Sequence, residues 1–515
     1  MRIKLLIIIF VLLQGMLCAQ NRTSNWFFSD GAGLKFNEHK VEELNIGKTY
    51  YQEGLSSISD INGNLLFYTE GENIWNKNHV LMQNGTGLAG HYSSTQGSII
   101  VQKPHSCNLY YVFTLDAYEH GYKNGLQYSI VDMNLDNGNG DVLTKNQLLY
   151  SYASEKLCAA KSADNESIWI ISHEMYTNQF KVYQLTENGL NETPVNSFVG
   201  TTFVNGHYGL GQMKITVKGD KLSYTAFVNN VMETFDFDNT TGIISNPQQF
   251  STIDLEGDGG YGLEFSPSGR YLYFTKFVSD YLNNPGYLYQ MDLEAGTTEQ
   301  IKNSIILIGN NKPPSDMRGL QLALDGKIYV ANSLSKSIGI IEEPDLAGKG
   351  SDYQNDGKIL SRTYATWTFP NFMASYLFEF KQQAIIDDME VEGNCISQEI
   401  KFNYTGIESG NKLLWNFGDQ DSIVGQSAKH IYQTPGNYLV SLSIEHQCIS
   451  DTLIQNLNLV NCNNKIYVPN AFSPNGDGIN DKLTVFGEAI QTMDFHIYDQ
   501  QDEQRSICIY PECSV

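Results

Sequence analysis

The sequence predicts an all-β protein of more than one domain, and three observations predict it. The 515 residues include 12% aromatic side chains, and 45 glycines stand against 13 prolines. Aromatic side chains suit strands, and glycines suit the tight turns between them. Charged residues make up only 17% of the chain, too few for disorder, long coiled coils or solvated helical bundles. Finally, one turn-then-strand pattern recurs from Trp26 to Phe380. A chain of this length exceeds what one core organises, so two or three domains are expected.

The N-terminus is the first element. Arg2 and Lys4 precede an apolar run from Leu5 to Leu13, and Ala19 stands just before Gln20. This pattern predicts a secretory signal peptide over residues 1–19. Its apolar core is short for a bilayer span, and no later stretch is apolar enough, so no transmembrane segment is expected after cleavage. Cys18 invites a lipoprotein reading, but Leu17 occupies the place of the small residue that such a site wants. The formal net charge is −24, and cleavage would remove two positive charges more. Such a chain is unsuited to nucleic acid or an anionic membrane surface. An exported protein can use disulfides. Cys107, Cys158, Cys395, Cys448, Cys462, Cys508 and Cys513 remain, and their odd number leaves at least one unpaired. No CxxC pair occurs, which argues against a zinc site.

The second element spans residues 20–383. A turn rich in Asp, Asn, Ser or Gly precedes an aromatic strand at Asp60–Gly63 before Leu65–Tyr68, and at Ser266–Gly269 before Tyr271–Phe274. The same unit recurs at Leu324–Gly326, His105–Asn108, Ala163–Asn165 and Lys218–Asp220. The markers Gly63, Ser106, Asn165, Gly219, Gly269 and Gly326 lie 43, 59, 54, 50 and 57 residues apart. Each interval holds a further strand, such as Phe180–Tyr183 or Glu233–Phe237. A period near 50 with several short strands per unit predicts a β-propeller. Adding the Trp26–Phe36 stretch, turned at Asp30 and Gly31, makes seven blades, with six or eight as alternatives. Residues Tyr364–Trp367 through Tyr376–Phe378 would close the ring.

The third element, residues 384–462, changes pattern. Trp415-Asn-Phe-Gly418-Asp419 is followed by His430-Ile-Tyr432 and Pro435-Gly436-Asn-Tyr438-Leu-Val440-Ser-Leu442, the last alternating as a half-buried strand should. These motifs resemble the PKD domain family, which implies an immunoglobulin-like β-sandwich and a spacer or binding role. Cys395, Cys448 and Cys462 lie in or beside it and are disulfide candidates of open connectivity.

The fourth element, residues 463–515, contains Phe472-Ser-Pro474-Asn475-Gly476-Asp477-Gly478-Ile-Asn480-Asp481. It resembles the opening of the gliding-motility-associated C-terminal domain, the type B sorting domain of Bacteroidetes type IX secretion. The resemblance implies passage through the type IX secretion machinery to the cell surface. Residues Leu66–Thr69, Ile74–Asn76, Asn84–Leu88 and Ser93–Gly97 are similar to the N-terminal half of such proteins. The family continues beyond the strand at Phe495–Tyr498, whereas here Asp499–Arg505 follows and the sequence stops at Val515. The sorting domain is therefore expected to be partial, with an unpaired edge that sorts poorly.

Candidate chemistry is sparse. Asn475, Asp477, Asn480 and Asp481 could ligate calcium or, alternatively, form an Asx-type turn. Calcium is the one cofactor considered. Asp60 and Asp325 read as turn residues. A glycosidase needs two opposed carboxylates, for which Glu70, Glu72, Glu174 and Glu264 are candidates. The sialidase Asp box, HExxH, GxSxG and phosphate-cradling glycine loops are all unmatched. Outside the signal the arginines are Arg22, Arg270, Arg318, Arg362 and Arg505, too few for an easily clustered triad. His79, His91, His120 and His207 fall on different repeats, while Trp75 and Trp169 suit either sugar stacking or a blade core. The expected function is non-enzymatic: a secreted, surface-associated adhesion or binding protein whose propeller meets polysaccharide or another surface protein. A polysaccharide-processing enzyme with its site in the propeller channel is the alternative.

Overall fold

The computed structural model describes residues 21–37, 40–50, 53–227, 230–361, 367–377, 389–405, 412–446, 449–462, 467–470, 475–477, 494–498 and 504–509. Internal contacts divide the chain between Gln383 and Ala384. The signal-peptide residues lie outside the described range.

The six recurring turns of the first unit are hairpins, each joining the first strand of a sheet to the second. Asp60–Gly63 lies between strands Ser56–Ser59 and Leu65–Thr69, and Ser266–Gly269 lies between Gly259–Phe265 and Tyr271–Phe277. The remaining four join Ser98–Gln102 to Leu109–Leu115, Ala153–Lys161 to Ile168–Glu174, Met213–Ile215 to Lys221–Ala226, and Asp316–Leu322 to Ile328–Ser333. Their geometry follows from composition: Gly63, Gly219, Gly269 and Gly326 all have φ between 69° and 81°, the left-handed region that costs glycine nothing.

Each of these six hairpins opens a four-stranded antiparallel meander, blades 2 to 7. Blades 2 and 3 also meet at their outer edges through one parallel pair, Gln83 and Asp141. The first strands of successive blades pack against one another in chain order. Blade 1 has only Asn25–Phe28, Ala32–Asn37 and Lys40–Leu44. The place of its inner strand is taken by the end of the unit. Gly319 N–H of blade 7 donates to Trp367 O at 2.8 Å, and Asn371 N–H donates to Leu55 O beside blade 2 at 2.8 Å. Late residues thus bridge the last blade and an early one, and the described residues form a closed seven-bladed propeller.

Inner and second strands are buried on both faces, as in Gly259–Phe265 and Tyr271–Phe277, whereas outer strands such as Asp141–Tyr150 alternate. Burial on both faces explains the aromatic excess, since large rings fill the space between sheets. Phe67 meets Tyr110 between blades 2 and 3, and Phe180 meets Phe235 between blades 4 and 5. Tyr329 meets Trp26 between blades 7 and 1. Trp169 is 3% exposed and donates to Asn239 O at 2.7 Å, so it is a core residue and no sugar platform. Trp75 is half-buried and stacks on Tyr68.

The second unit contains a sandwich. Strands Met389–Glu392, Ile400–Tyr404 and Ser427–His430 form one sheet; Ser422–Val424, Lys412–Asn416, Gly436–His446 and Ile449–Leu459 form the other. Trp415 is fully buried among Phe402, Phe417, Val440 and Leu442. Its Nε1 donates to Gly425 O at 2.8 Å. The WxFGD motif has a mechanical reason. Gly418 has φ 81°, and a Cβ there would stand 2.7 Å from Leu439 O. Asp419 Oδ2 then holds His430 Nε2 at 2.6 Å, and the imidazole stacks flat on Phe417. Tyr432 hydroxyl donates to Phe417 O at 2.9 Å. Every residue of the motif either turns the chain or closes the core. Of the cysteine candidates, Cys395 and Cys462 are disulfide-bonded, while Cys448 lies outside the described residues. Cys107 is disulfide-bonded as well, and Cys158 is a free, buried thiol.

Farther on, Asp494–Tyr498 pairs antiparallel with Gln504–Ile509. The second of these strands begins at Gln504, within the Asp499–Arg505 stretch that departs from the sorting-domain pattern. No helix among the described residues is long and apolar enough to cross a membrane.

Candidate functional site

Propeller strands alternate in direction, so each blade's inner strand begins on the face opposite the recurring hairpins. That face carries the loops with the most unusual backbone. Tyr122, Tyr152 and Tyr176 have φ of 63°, 61° and 64°. Bulky side chains rarely occupy this region, and such residues cluster at functional sites. Here they are neighbours. Tyr152 N–H donates to Tyr122 O at 2.9 Å, and Met175 N–H donates to Tyr152 O at 2.8 Å. Gly125, with φ 60°, closes the loop below Tyr122; a Cβ there would lie 1.9 Å from Tyr150 O.

The result is an aromatic platform. Tyr122 is buried at its centre, its hydroxyl donating to Gly206 O at 2.6 Å. Around it Tyr118, Tyr152 and Tyr176 are 41%, 47% and 54% exposed. His207 stacks on Tyr118 at 4.9 Å. His91 meets His120 edge-on at 4.6 Å, and His120 Nδ1 lies 3.1 Å from Asp116 Oδ1. Three of the four histidines noted in the sequence, His91, His120 and His207, therefore gather on this face. His79 is elsewhere, with Nδ1 3.1 Å from Tyr68 hydroxyl.

The platform stands on one inner strand, Ala153–Lys161 of blade 4. Glu155 and Lys156 lie where this strand's pairing shifts register, between Ala153 and Leu157, and they hold both neighbouring blades. Glu155 Oε2 accepts from Thr95 N and Oγ1 at 2.7 and 2.8 Å, and Oε1 accepts from Tyr118 N at 2.9 Å. Lys156 Nζ donates to the carbonyls of Leu210, Gly211 and Thr225 at 2.8–3.0 Å, on the other side. Burial raises the Glu155 carboxyl to about 7 against those hydrogen bonds, and burial lowers the Lys156 ammonium to about 7 against the attraction of Glu155. His173 lies beneath, its ring 3.9 Å from Phe203, and both nitrogens are without hydrogen-bond partners among the described residues. Burial, with Lys156 nearby, lowers it to about 3, so it is neutral. Glu155 and Lys156 hold loops in place, and the exposed chemistry of the face is aromatic.

The carboxylates proposed for glycosidase chemistry fall on three blades. Glu264 is buried against Lys214 Nζ at 3.0 Å and accepts from Leu322 N at 3.0 Å. It lies toward the recurring hairpins, away from the platform. Glu174 faces Lys181 at 3.5 Å. Glu70 and Glu72 share a loop of blade 2. Within the channel, Gln96 Oε1 accepts from Met213 N at 2.7 Å, and Gln212 Oε1 accepts from Leu263 N and Leu320 N at 3.0 and 2.9 Å. Asn371 Nδ2 donates to Leu157 O at 2.9 Å. These amides tie inner strands across blades. Gln96 falls within the Ser93–Gly97 stretch noted in the sequence, whereas Gln212 and Asn371, which like it lie outside the strands, carry no pattern that singles them out.

Glu70 gives a test of the electrostatics. Oε1 accepts from Asn73 Nδ2 at 2.7 Å, while Oε2 is buried and unpartnered among the described residues. Burial raises its carboxyl to about 7. The folded state therefore binds this proton more tightly than the unfolded state. Its favourable contribution is complete below about pH 4.5 and is lost as pH rises to about 7. Glu70→Gln is expected to be more stable than the parent at pH 8, by on the order of 2–3 kcal/mol, and equal to it near pH 4.5. Urea midpoints at the two pH values measure this; a pH-independent difference would refute it.

In the second unit, Asn475 Nδ2 donates to Asp477 Oδ2 at 2.9 Å, and Asp477 N–H donates to Asn475 Oδ1 at 3.1 Å, an Asx-type turn through Gly476. The other residues of that motif, Phe472, Pro474, Gly478, Asn480 and Asp481, lie outside the described residues. Asp419, Asp421 and His430 offer three grouped ligand atoms that the sequence did not suggest for a metal. The Asp419–His430 hydrogen bond already gives that grouping a structural reason.

Fold and face define the class: a seven-bladed propeller followed by an immunoglobulin-like sandwich. Residues 382–456 match the PKD domain family, so the sandwich is a PKD domain. No curated protein matches the chain. Among solved structures, one from Bacteroides fragilis, provisionally assigned as a 6-phosphogluconolactonase, is 12% identical with TM-score 0.42, covering 67% of this chain and 97% of that one. Its counterpart from Bacteroides uniformis is 12% identical with TM-score 0.41, covering 66% and 97%. The periplasmic gluconolactonase of Pseudomonas aeruginosa is 13% identical with TM-score 0.31, covering 68% and 96%.

Proposed function

We propose that the protein is a non-enzymatic, surface-associated binding protein that holds carbohydrate on the tyrosine platform of blades 3 and 4. The exposed Tyr118, Tyr152 and Tyr176 around buried Tyr122 carry this reading. Tyrosines offer large, rigid, amphipathic faces at low entropic cost, and grouped exposed aromatics mark interaction sites. Two of the three exposed rings are held in strained conformations, and Glu155 pins the loop of the third, so the platform is preorganised. The flanking exposed His120, backed by buried Asp116, and the exposed His207 supply polar groups for hydroxyls. Export through the type IX machinery and attachment at the cell surface rest on the sequence resemblance of residues 463–515 and on the N-terminal signal pattern. The PKD domain would serve as spacer or second contact.

One experiment addresses both parts. Cells expressing the tagged full chain are fractionated, and the recovered protein is applied to a glycan array and assayed for release of reducing sugar. Surface or medium recovery, glycan retention and no sugar release are expected. Tyr118→Ala and Tyr176→Ala should each weaken retention roughly tenfold. Sugar release would favour the channel enzyme, and undiminished retention in both variants would remove the platform reading.

A further inference from the structure

A second polar group lies on the same face, where the inner strands of blades 6 and 7 begin. Glu53 Oε1, Tyr261 hydroxyl, Asp316 Oδ2, Arg318 Nε and Nη1, and Thr368 Oγ1 are buried without hydrogen-bond partners among the described residues. Arg318 is 8% exposed and Glu53 6%. Native interiors leave few such groups, and each calls for water, an ion or a ligand.

The groups are neighbours. Arg318 Nε stands 2.9 Å from Asp316 Oδ2, an ion pair whose angle fails as a hydrogen bond. Its guanidinium carbon lies 5.2 Å from the Tyr261 ring, 4.9 Å from Phe277 and 4.6 Å from Trp367, the residue before Thr368. Glu53 is near enough for the charge of Arg318 to act on it, yet burial and Glu155 raise its carboxyl well above the ordinary range. Beside the Asp316 carboxylate, the cluster offers two guanidinium N–H groups and two hydroxyls as donors.

We propose that this cluster binds the carboxylate group of a small organic acid or acidic sugar. A guanidinium presents paired N–H groups that match two carboxylate oxygens. The Tyr261 and Thr368 hydroxyls are free to donate to the same oxygens. The ring walls exclude water, which strengthens each of these bonds. None of these residues belongs to the tyrosine platform, so this site and the carbohydrate reading stand or fall separately.

The test titrates the full chain calorimetrically with acetate, galacturonate and galactose. Acetate and galacturonate are expected to bind in a manner lost in Arg318→Gln and kept in Tyr118→Ala, with no such Arg318-dependent heat for galactose; Arg318-dependent binding of galacturonate alone would assign the site to acidic sugars. Tyr261→Phe and Thr368→Val each remove a hydroxyl that has no partner in the free protein. Their unliganded melting temperatures should match the parent, while affinity falls about threefold to tenfold. Arg318→Gln should abolish binding. No heat with either acid overturns the proposal, as does parental affinity in both hydroxyl variants, which would leave water as the occupant.

Discussion

Replacing Trp26 with alanine is expected to lower the stability of the propeller by about 3–5 kcal/mol, the range for truncating a fully buried large aromatic. Trp26 is 0% exposed, and its Nε1 donates to Thr23 O at 3.0 Å. Its ring lies 4.7 Å from Phe36 in its own blade, 5.5 Å from Tyr329 in blade 7, and 5.3 and 5.9 Å from Phe369 and Phe372 of the ring-closing segment. One side chain thus contacts the first blade, the last blade and the segment that joins them. The cavity it would leave opens at the seam, where no continuous chain holds the blades together. Urea midpoints measure the loss, and limited proteolysis locates it. Phe113→Ala, a fully buried control in blade 3, should lose comparable stability without exposing residues 367–377 to cleavage. If both variants are cleaved alike, closure is not localised at Trp26.

Much of this seam was legible in the sequence. The recurring hairpins are set by local turn chemistry, and their spacing counts the blades. Trp26 could be placed in the first blade because Asp30 and Gly31 make its turn visible. The PKD motif was readable through its resemblance to a known family, and the structure shows why its Gly418 and Asp419 are placed so, against Leu439 and His430. The platform was not legible. Tyr122, Tyr152 and Tyr176 share neither a period nor a motif, and their left-handed backbone comes from loop closure in three dimensions. His91 and His120 look unrelated until two successive blade loops bring their rings together. Arg318 read only as one of few arginines, because its burial beside Asp316 among the Tyr261, Phe277 and Trp367 rings is set by packing. The unpartnered cluster beside it is likewise a property of packing. Residue type alone says nothing about whether a buried hydroxyl has found an acceptor.

The disulfide offers the second large effect. Cys395 and Cys462 enclose every strand of the sandwich except Met389–Glu392, with a sequence separation of 67 and Cα atoms 5.4 Å apart. Closing a loop of that length in the unfolded chain is worth about 4 kcal/mol in the chain-entropy account. The double variant Cys395→Ala with Cys462→Ala should therefore lose up to that amount. The loss should appear as a lower urea midpoint with hydrogen exchange accelerated in strand Lys412–Asn416. Variants are preferable to a reductant, since Cys107 is also disulfide-bonded and reduction would perturb the propeller unit too. The opposing influence is the ladder beside the bond: Ile396 N–H donates to Val460 O, and Val460 N–H donates to Asn394 O, both at 3.0 Å. If that pairing held the ends together in the unfolded ensemble as well, the bond would constrain little. Isolated pairs of this kind are weak in water, so the entropic term should dominate. A loss under about 1 kcal/mol would show instead that the ladder and the Trp415 core suffice to hold the PKD domain closed.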